Sequence, residues 1–471
     1  MDEANDRHSD SDAVAVENTG VDIRPNIILI VADDLGYGDI GVNGSNIIAT
    51  PNINALAEGG VNFSSGYVTA AVCAPSRAAL MTGRHQQSFA YEYNPRARAE
   101  IGIPVELDTV ADIVGAEGYT TSLIGKWHLG RTPEHYPTER GFDTFFGFVG
   151  GGNGFLRVPE DGLHLQDPVP GSNIGFKGIR GIERNGVPIK PDTDLTTMLS
   201  REAVKFVEAE ADSDDPFFMI LAHFAPHSPL QATHAQIEPY AHIEDPATRI
   251  YAAMVSAVDE GVGELVEALV RTGQRENTLI VFMSDNGCAS YIGDGACSNA
   301  PYAGFKGTHF EGGVRVPMIA NWPGVLEPGQ TYDQPIVSYD WSVTAMALAG
   351  AKTYRQQLDG LNLMPFLTNP DAGSPRSRMH WRTLPNFAIR DGDWKLWMVE
   401  RSDGTGMEPL LYNLGTDPGE TLNLAEVHPE ELNRLIAAFE EWSSTMPEPG
   451  FYSNRRSSFP MPNGMRLSVY N

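Results

Sequence analysis

Three apolar runs, each ending in polar residues, constrain the fold of this chain more than any other feature. They span residues 25–34, 216–223 and 278–287. Continuous rather than alternating hydrophobicity indicates strands that are buried on both faces, as in the parallel sheets of α/β proteins. Segments with helical spacing of apolar residues accompany them, at 53–58, 109–117, 194–210 and 250–272. This alternation predicts a doubly wound α/β domain, a large mixed sheet flanked by helices, over residues 24–355.

After residue 355 the pattern of the sequence changes. The segment 387–399 contains Asp391-Gly392, a dipeptide that suits the tight turn of a hairpin. A further short strand is expected from Leu410, and the apolar spacing from Pro429 to Ser443 indicates one helix. We therefore expect residues 356–471 to form a smaller α+β subdomain of antiparallel strands and one helix. Residues 1–23 are polar and are expected to be disordered.

The charge of the chain excludes some partners. It carries 33 Lys and Arg against 61 Asp and Glu, a formal net charge of −28. Such a surface repels nucleic acid and anionic membranes, and the apolar runs are too short to span a bilayer. A polyanionic substrate would also be repelled, so any site for an anion must be locally basic.

The chain has three cysteines, of which Cys73 lies in a distinctive motif. Cys73-Ala-Pro-Ser-Arg77 continues into Leu80-Met-Thr-Gly-Arg84. A cysteine before a helix is usually a packed residue, but the length of this motif makes coincidence improbable. The other two, Cys288 and Cys297, are either a disulfide that closes a short loop or two reduced thiols, and their spacing does not decide between these.

Polar residues end two of the apolar runs, Asp33-Asp34 and Asp285-Asn286. Open parallel sheets gather functional residues at the carboxyl ends of their strands. Three carboxylates and an amide form a hard-oxygen set that suits Ca²⁺ or Mg²⁺ and is poor for zinc. Turn and cap residues are the alternative interpretation. The two pairs together, beside the cysteine motif, favour a metal site.

Cationic and imidazole side chains occur in three further segments. Lys126 and His128 are two residues apart, and on a strand this spacing points both side chains to one face. Prolines on both sides are expected to hold His227 in an extended loop. Lys306 lies in a glycine-rich loop where the backbone can approach an anion closely. The alternatives are a solvated strand face, a structural histidine and a surface lysine.

Taken together, the motifs resemble those of the type I sulfatases, formylglycine-dependent enzymes of the alkaline phosphatase superfamily, from Pro25 to about Trp442. They occur in the order Asp33-Asp34-Leu-Gly-Tyr-Gly-Asp, the Cys73 motif, Gly125-Lys-Trp-His-Leu-Gly, Ala-Pro-His227, Ser-Asp285-Asn286-Gly and Lys306-Gly-Thr-x-x-Glu-Gly-Gly. Arg140-Gly-Phe-Asp-x-Phe-Phe-Gly-Phe and a late Leu-Tyr-Asn-Leu-x-x-Asp-Pro-x-Glu-x-x-Asn-Leu motif are also similar to the family. The resemblance implies an alkaline phosphatase-like fold and a sulfuric ester hydrolase.

The resemblance also implies residue roles. A maturase would oxidise Cys73 to formylglycine, whose hydrated aldehyde attacks sulfur and later releases sulfate. Arg77 would orient that aldehyde. The metal ligands would be residue 73 with Asp33, Asp34, Asp285 and Asn286, around Ca²⁺ or alternatively Mg²⁺. The sulfate-binding residues would be Lys126, His128, His227 and Lys306, with His128 as the base and His227 or Lys306 as the acid for the leaving group.

The substrate is expected to be a sulfated carbohydrate, a poly- or oligosaccharide, because Arg140 and the segment from Phe146 to Gly152 resemble polysaccharide and glycosaminoglycan sulfatases. His309, Arg96 and Arg382 are candidate substrate contacts, with ordinary surface polarity as the alternative. A phosphonate or phosphodiester hydrolase of the same superfamily is the second hypothesis. A non-catalytic glycan-binding protein is the third, and the filled set of site residues argues against it. Family habit favours a periplasmic or secreted enzyme, although the N-terminus lacks a signal peptide and a cytoplasmic location stays open.

Overall fold

In the computed structural model, the three apolar runs form adjacent parallel strands at the centre of a large sheet. The structure describes residues 24–95, 100–165, 176–292, 295–352, 355–369, 371–452, 456–461 and 465–470. The segment 1–23, predicted to be disordered, and the candidate substrate contact Arg96 lie outside the described residues.

The described strands are short except at the centre of the large sheet and in the C-terminal sheet. They are β1 Asn26–Ala32, β2 Val61–Phe63, β3 Gly66–Tyr67, β4 Thr120–Lys126, β5 Thr144–Phe148, β6 Gly162–His164, β7 Glu183–Arg184, β8 Val187–Pro188, β9 Phe217–Ala222, β10 Gln231–Thr233, β11 Thr278–Ser284, β12 Met318–Asn321, β13 Gln330–Tyr332, β14 Ile336–Val337, β15 Arg378–Thr383, β16 Asn386–Asp391, β17 Trp394–Glu400, β18 Met407–Asn413, β19 Arg456–Pro460 and β20 Arg466–Tyr470.

The described α-helices include the four that the apolar spacing predicts in the first domain, displaced by at most a few residues. They are α1 Pro51–Glu58, α2 Cys73–Thr82, α3 Val110–Ala116, α4 Leu195–Ala209, α5 His234–Ile237, α6 Pro246–Arg271, α7 Glu311–Val314, α8 Tyr339–Leu348, α9 Met364–Thr368 and α10 Pro429–Ser444. None of the described helices combines the length and apolarity that crossing a membrane requires.

The large sheet has ten strands in the order β13-β2-β12-β11-β1-β9-β4-β5-β7-β8. From β11 to β5 the neighbouring strands are parallel, whereas β12 and β7 pair antiparallel with this central block. The sheet is therefore mixed, as predicted. Because the central strands are parallel, their carboxyl ends lie along one edge of the sheet.

Each face of the sheet is covered by helices, which is why the central strands are apolar throughout. Along β1, Ile27, Leu29 and Val31 enter one core with α2, α3 and α8. The alternate residues Ile28 and Ile30 enter the opposite core with α1, α4 and α6. This arrangement confirms the predicted doubly wound α/β fold.

The C-terminal segment forms a separate four-stranded antiparallel sheet in the order β15-β16-β17-β18. The predicted hairpin turn at Asp391-Gly392 joins β16 to β17, where Gly392 has a φ of 60°. Helix α10 packs on the outer face through Leu435 and Phe439. The inner face, which includes Trp397, joins the core of the large sheet. The predicted α+β architecture is confirmed, and the exact division at residue 355 stays a prediction.

Candidate active site

The carboxyl ends of β1 and β11 bring the two predicted acidic pairs together. The backbone N–H of Asp34 donates to Oδ1 of Asp285 at 3.2 Å, and Nδ2 of Asn286 donates to Oδ1 of Asp34 at 2.7 Å. All four side chains are at least 97% buried, those of Asp33, Asp34, Asp285 and Asn286. The pairing of β1 with β11 explains this, since it places Ala32 opposite Ser284 and so aligns the residues that follow.

This donor set fits a hard cation. Three carboxylates and an amide converge, and Oδ1 of Asn286 is buried without a hydrogen-bond partner among the described residues. Such an orphaned oxygen is expensive unless a ligand binds it. Burial and the neighbouring charge of Asp33 raise the pKa of Asp285 to about 6, as crowded carboxylates without a cation require. Asp33, Asp34, Cys73 and His227 also converge closely enough to share one metal ion.

Cys73 lies beside these carboxylates as the first residue of α2. Its Sγ is 3.4 Å from Oδ1 of Asp33 and 3.9 Å from Oδ1 of Asp34. The side-chain oxygen of Asn94 accepts the next backbone N–H, that of Ala74, at 2.9 Å and so fixes the start of the helix. Burial raises the pKa of the Cys73 thiol above its ordinary value, so the thiol stays protonated at neutral pH. An unmodified cysteine here would be a poor nucleophile.

Three cations surround the carboxylates and residue 73. Nζ of Lys306 lies 2.6 Å from Oδ1 of Asp34 and 3.1 Å from Sγ of Cys73. Nζ of Lys126 lies 2.5 Å from Oδ2 of Asp33. Burial opposes ionisation of Asp33, but the charges of Lys126, His227 and Arg77 dominate and hold its pKa well below the usual range.

Arg77 lies one helical turn after Cys73 and reaches the same carboxylates. Its Nε donates to Oδ2 of Asp285 at 2.8 Å, and its Nη1 donates to the carbonyl of Lys126 at 3.2 Å. Nη2 is buried without a hydrogen-bond partner among the described residues. Nη2 lies 3.7 Å from Oδ2 of Asp33, beyond hydrogen-bond distance. The helical spacing of the motif thus places a fixed guanidinium, with an N–H available for a further hydrogen bond, close to residue 73.

His128 corrects one sequence-based expectation. Strand β4 ends at Lys126, and His128 adopts a left-handed conformation with a φ of 64°. The two side chains are therefore not neighbours on one strand face, as their spacing predicted. The side chain of His128 still senses the cations of the site. Burial and the positive charges of Lys126 and Arg77 lower the pKa of His128 well below 6.5. A neutral imidazole at physiological pH can accept a proton.

His227 lies in a tight turn rather than the predicted extended loop, since its N–H donates to the carbonyl of Phe224 at 3.0 Å. Nδ1 lies 2.6 Å from the carbonyl oxygen of Ser228, which accepts a hydrogen bond only if Nδ1 carries the hydrogen. Nε2 then faces Oδ2 of Asp34 at 3.5 Å. The ring stacks on Phe224 with centroids 4.9 Å apart, which fixes its plane.

Two candidate substrate contacts are buried away from solvent. His309 is 2% exposed, and its Nε2 lies 3.3 Å from Oγ1 of Thr383. Arg382 is 4% exposed, donates through Nε to Glu92 at 2.7 Å and donates through Nη2 to the carbonyl of Pro447. Their roles in substrate binding stay predictions.

Some residues that hold the site in place lie outside the motifs recognised in the sequence. Asn94 is one of them, since it accepts the N–H of Ala74 at the start of α2. Cys288 and Cys297 form a disulfide in the structure, which decides between the two alternatives. The carbonyl of Cys288 accepts the backbone N–H of Lys306 at 2.9 Å. The disulfide-bonded loop therefore supports the position of the lysine.

Comparison with known proteins identifies the family. A sequence model of the sulfatase family matches residues 25–351. The chain belongs to the sulfatase family. This assignment confirms the resemblance seen in the motifs, and the sulfatase is an enzyme, a sulfuric ester hydrolase.

Named relatives agree with this assignment. Human arylsulfatase A (Homo sapiens) is 34% identical over 87% of this sulfatase and 86% of its own length. N-acetylgalactosamine-6-sulfatase of Mus musculus is 32% identical over 92% of this sulfatase and 89% of its own length. The crystal structure of Ps i-CgsB in complex with k-i-k-neocarrahexaose has a TM-score of 0.81 and 38% identity, with 91% of this sulfatase and 94% of that chain covered.

Proposed function

We propose that this sulfatase removes sulfate from a sulfated poly- or oligosaccharide, with a formylglycine derived from Cys73 and a bound Ca²⁺. The observation that carries the proposal is the convergence on residue 73 of a hard-oxygen set and three cations. The side chains involved are Asp33, Asp34, Asp285, Asn286, Arg77, Lys126 and Lys306. Mg²⁺ fits the same oxygen set.

The charge balance of the site supports hydrolysis of a sulfate ester. In the described residues of the cluster, three carboxylates face three cations, so the protein groups alone are close to neutral. A bound divalent cation would leave an excess of two positive charges beside residue 73. Sulfuryl transfer resembles phosphoryl transfer, in which preorganised positive charge rather than covalent help lowers the barrier.

The chain's own residues would divide the work as follows. Formylglycine would supply a nucleophilic hydroxyl when hydrated, and would release sulfate as the aldehyde re-forms. The free N–H of Arg77 would hold a diol oxygen. Lys126 and Lys306 would bind the sulfate oxygens. Neutral His128 would accept the proton of the second hydroxyl, and His227 or Lys306 would protonate the departing sugar oxygen.

Burial of the cysteine supports a maturase that acts early. Cys73 is 2% exposed, and every residue of α2 is buried. A maturase would therefore reach the motif before the chain folds. Mass spectrometry of the peptide containing residue 73, from protein coexpressed with a maturase, should detect the aldehyde. Detection of cysteine alone in an active enzyme would contradict the proposed nucleophile.

The carbohydrate substrate is supported by the relatives rather than by the site geometry. One relative is an N-acetylgalactosamine-6-sulfatase by name, and one structural relative is in complex with k-i-k-neocarrahexaose. The Cys288–Cys297 disulfide supports an oxidising compartment, and hence a periplasmic or secreted enzyme. We keep residues 24–355 as the proposed catalytic domain and 356–471 as the proposed C-terminal subdomain.

Release of inorganic sulfate tests the proposed function. Matured enzyme with Ca²⁺ should release sulfate from an aryl sulfate and from at least one member of a panel of sulfated oligosaccharides. The Cys73→Ala variant should release none, because it cannot form the aldehyde. A matched aryl phosphate is the control for the phosphoester hypothesis, and faster turnover of the phosphate than of the sulfate would favour that alternative.

A further inference from the structure

Among the exposed arginines that have no partner in the described part of the chain, two adjoin the loop that follows β5. Arg131 and Arg180 are exposed, and among the described residues neither side chain has a carboxylate partner or a hydrogen bond. This is unusual in a chain with a net charge of −28, where most described basic side chains are paired or hydrogen-bonded. An arginine without a partner on an acidic surface is a local site for an anion.

Arg131 lies beside the proposed base. Residues 150–153 form the loop that follows β5, and this loop lies against both side chains. A Cβ at Gly151 would lie 2.2 Å from Nε2 of His128, and a Cβ at Gly150 would lie 2.7 Å from Nη2 of Arg131. Two adjacent residues of one loop therefore contact the imidazole and the guanidinium. Gly152 is exposed and a Cβ there would meet nothing within 4 Å, so the loop also borders open space.

Arg180 is fixed against the other end of the same loop. Nδ2 of Asn153 donates to the carbonyl of Arg180 at 2.9 Å, and the N–H of Arg180 donates to Oδ1 of Asn153 at 2.9 Å. Asn153 is 3% exposed, so this pairing is a buried anchor. The exposed guanidinium of Arg180 is thus carried by a backbone that is rigidly attached to the glycine loop.

We propose that Arg131 and Arg180, with the loop Gly150–Asn153, form a subsite for a second anionic group of the glycan. That group would be a sulfate or carboxylate on the sugar that adjoins the ester being cleaved. The subsite rests on the proposed function. A guanidinium binds the oxygens of such groups through two parallel hydrogen bonds, and the absence of side chains on the loop lets a sugar ring approach the backbone.

Direct binding tests the subsite without turnover. Calorimetric titration of unmatured protein with k-i-k-neocarrahexaose and with a heparin hexasaccharide, which carries sulfates and carboxylates, gives the dissociation constants. For at least one probe, Arg131→Ala and Arg180→Ala should each weaken binding about tenfold, as expected for a hydrogen bond to a charged group. The control Arg201→Ala, an exposed arginine on α4, should bind as the wild type does.

Dissolved salt screens the attraction between an exposed arginine and an anionic sugar. Glycan binding by the double variant Arg131→Ala/Arg180→Ala should therefore depend much less on salt concentration than binding by the wild type. Equal affinities of the double variant and the wild type would overturn the subsite, and so would a wild type that binds neither probe. Sulfate release from an aryl sulfate by matured wild type reports on the proposed function separately. Its failure would contradict the chemistry while leaving the binding result interpretable.

Discussion

The position of His128 depends on its neighbours in the backbone. The backbone N–H of His128 donates to the carbonyl of Val149 at 3.3 Å. The ring nitrogen Nδ1 has no hydrogen-bond partner among the described residues. Nε2 lies against Gly151, where only a hydrogen atom fits. The loop that follows β5 therefore holds the imidazole by close contact rather than by a side-chain hydrogen bond.

Gly151→Ala should consequently displace His128. The new Cβ would lie 2.2 Å from Nε2, and the ring must move to relieve the clash. If His128 is the base, kcat for sulfate release should fall by about 100-fold, the lower range for loss of acid–base catalysis. Both variants are assayed with an aryl sulfate, which has no second anionic group for the proposed subsite. Gly152→Ala is the matched control, since its Cβ meets nothing within 4 Å, and should keep its activity on this substrate. Equal kcat values for the two variants would argue against His128 as the base.

Sequence motifs could locate the residues of the site but not the contacts between them. Asp33, Cys73 and Lys306 are recognisable because their residue types suit a metal, a modification and an anion. The approach of Gly151 to His128 depends on where β4 ends and how the next loop returns, and spacing along the chain does not encode this. The prediction that His128 lies on a strand was wrong for the same reason. Strand β4 ends at Lys126, and the left-handed φ of His128 is incompatible with a strand.

At the scale of elements, a buried ion network joins the C-terminal sheet to the loop that carries Lys306. Lys395 of β17 lies 2.7 Å from Oε1 of Glu311, at the start of α7, and 2.9 Å from Oε1 of Glu420. Glu420 also accepts the backbone N–H of Glu311 at 2.6 Å. Lys395 and Glu311 are fully buried and Glu420 is 5% exposed. The small sheet thus supports the loop that carries Lys306.

This network makes stability depend on pH. Burial and the nearby charge of Glu311, opposed by Lys395, raise the pKa of Glu420 from 4.5 to about 7. Between these values the folded state holds a proton that the unfolded state has lost. The contribution of Glu420 to the free energy of unfolding is therefore complete below pH 4.5 and is lost as the pH rises through about 7.

Glu420→Gln should remove this dependence, because the amide does not titrate. Between pH 5 and pH 8 the free energy of unfolding of the variant should rise relative to that of the wild type, by on the order of 1–3 kcal/mol. Chemical denaturation at both pH values measures the difference. Glu208→Gln is the control, since Glu208 forms a surface pair with Arg271. A constant difference between variant and wild type across this range would refute the linkage.

Continuous apolar runs predicted the central strands well, because a strand buried on both faces has no polar alternation. The predicted C-terminal helix also matches α10, since its apolar spacing reflects one buried face. The antiparallel strand β12 and the β19–β20 hairpin were not predicted. Strand β12 has only four residues, and its pairing with β11 and β2 is decided by contacts distant in sequence.

At the scale of the whole molecule, acidic residues occur in two settings, on the surface and in the buried cluster of the candidate active site. The acidic residues on the surface account for most of the net charge of −28. The buried cluster contains Asp33, Asp34 and Asp285. Their negative charges oppose folding unless cations neutralise them. Arg77, Lys126 and Lys306 bring this cluster close to neutral. The proposed metal would in addition bind the buried oxygen of Asn286, which has no partner among the described residues.

Calcium should therefore stabilise the folded protein. At a free concentration of 100 times the dissociation constant, binding to the folded state alone adds about 2.7 kcal/mol to the free energy of unfolding. The melting temperature should rise by several degrees on addition of Ca²⁺ to chelator-treated protein. Asp285→Asn should reduce the rise, because it removes one charged ligand. Asp259→Asn is the control, since Asp259 is buried at α6 and binds the N-terminus of α1 instead.

Direct calcium titration of the wild type by calorimetry keeps the test decisive if Asp285→Asn fails to fold, because Asp285 also binds Arg77. One tight site per chain, occupied together with the rise in melting temperature, is the expected result. Absence of both binding and stabilisation, with Ca²⁺ and with Mg²⁺, would contradict the metal site. The buried oxygen of Asn286 would then require another partner, because an unpaired acceptor beside three carboxylates has no solvent to compensate it.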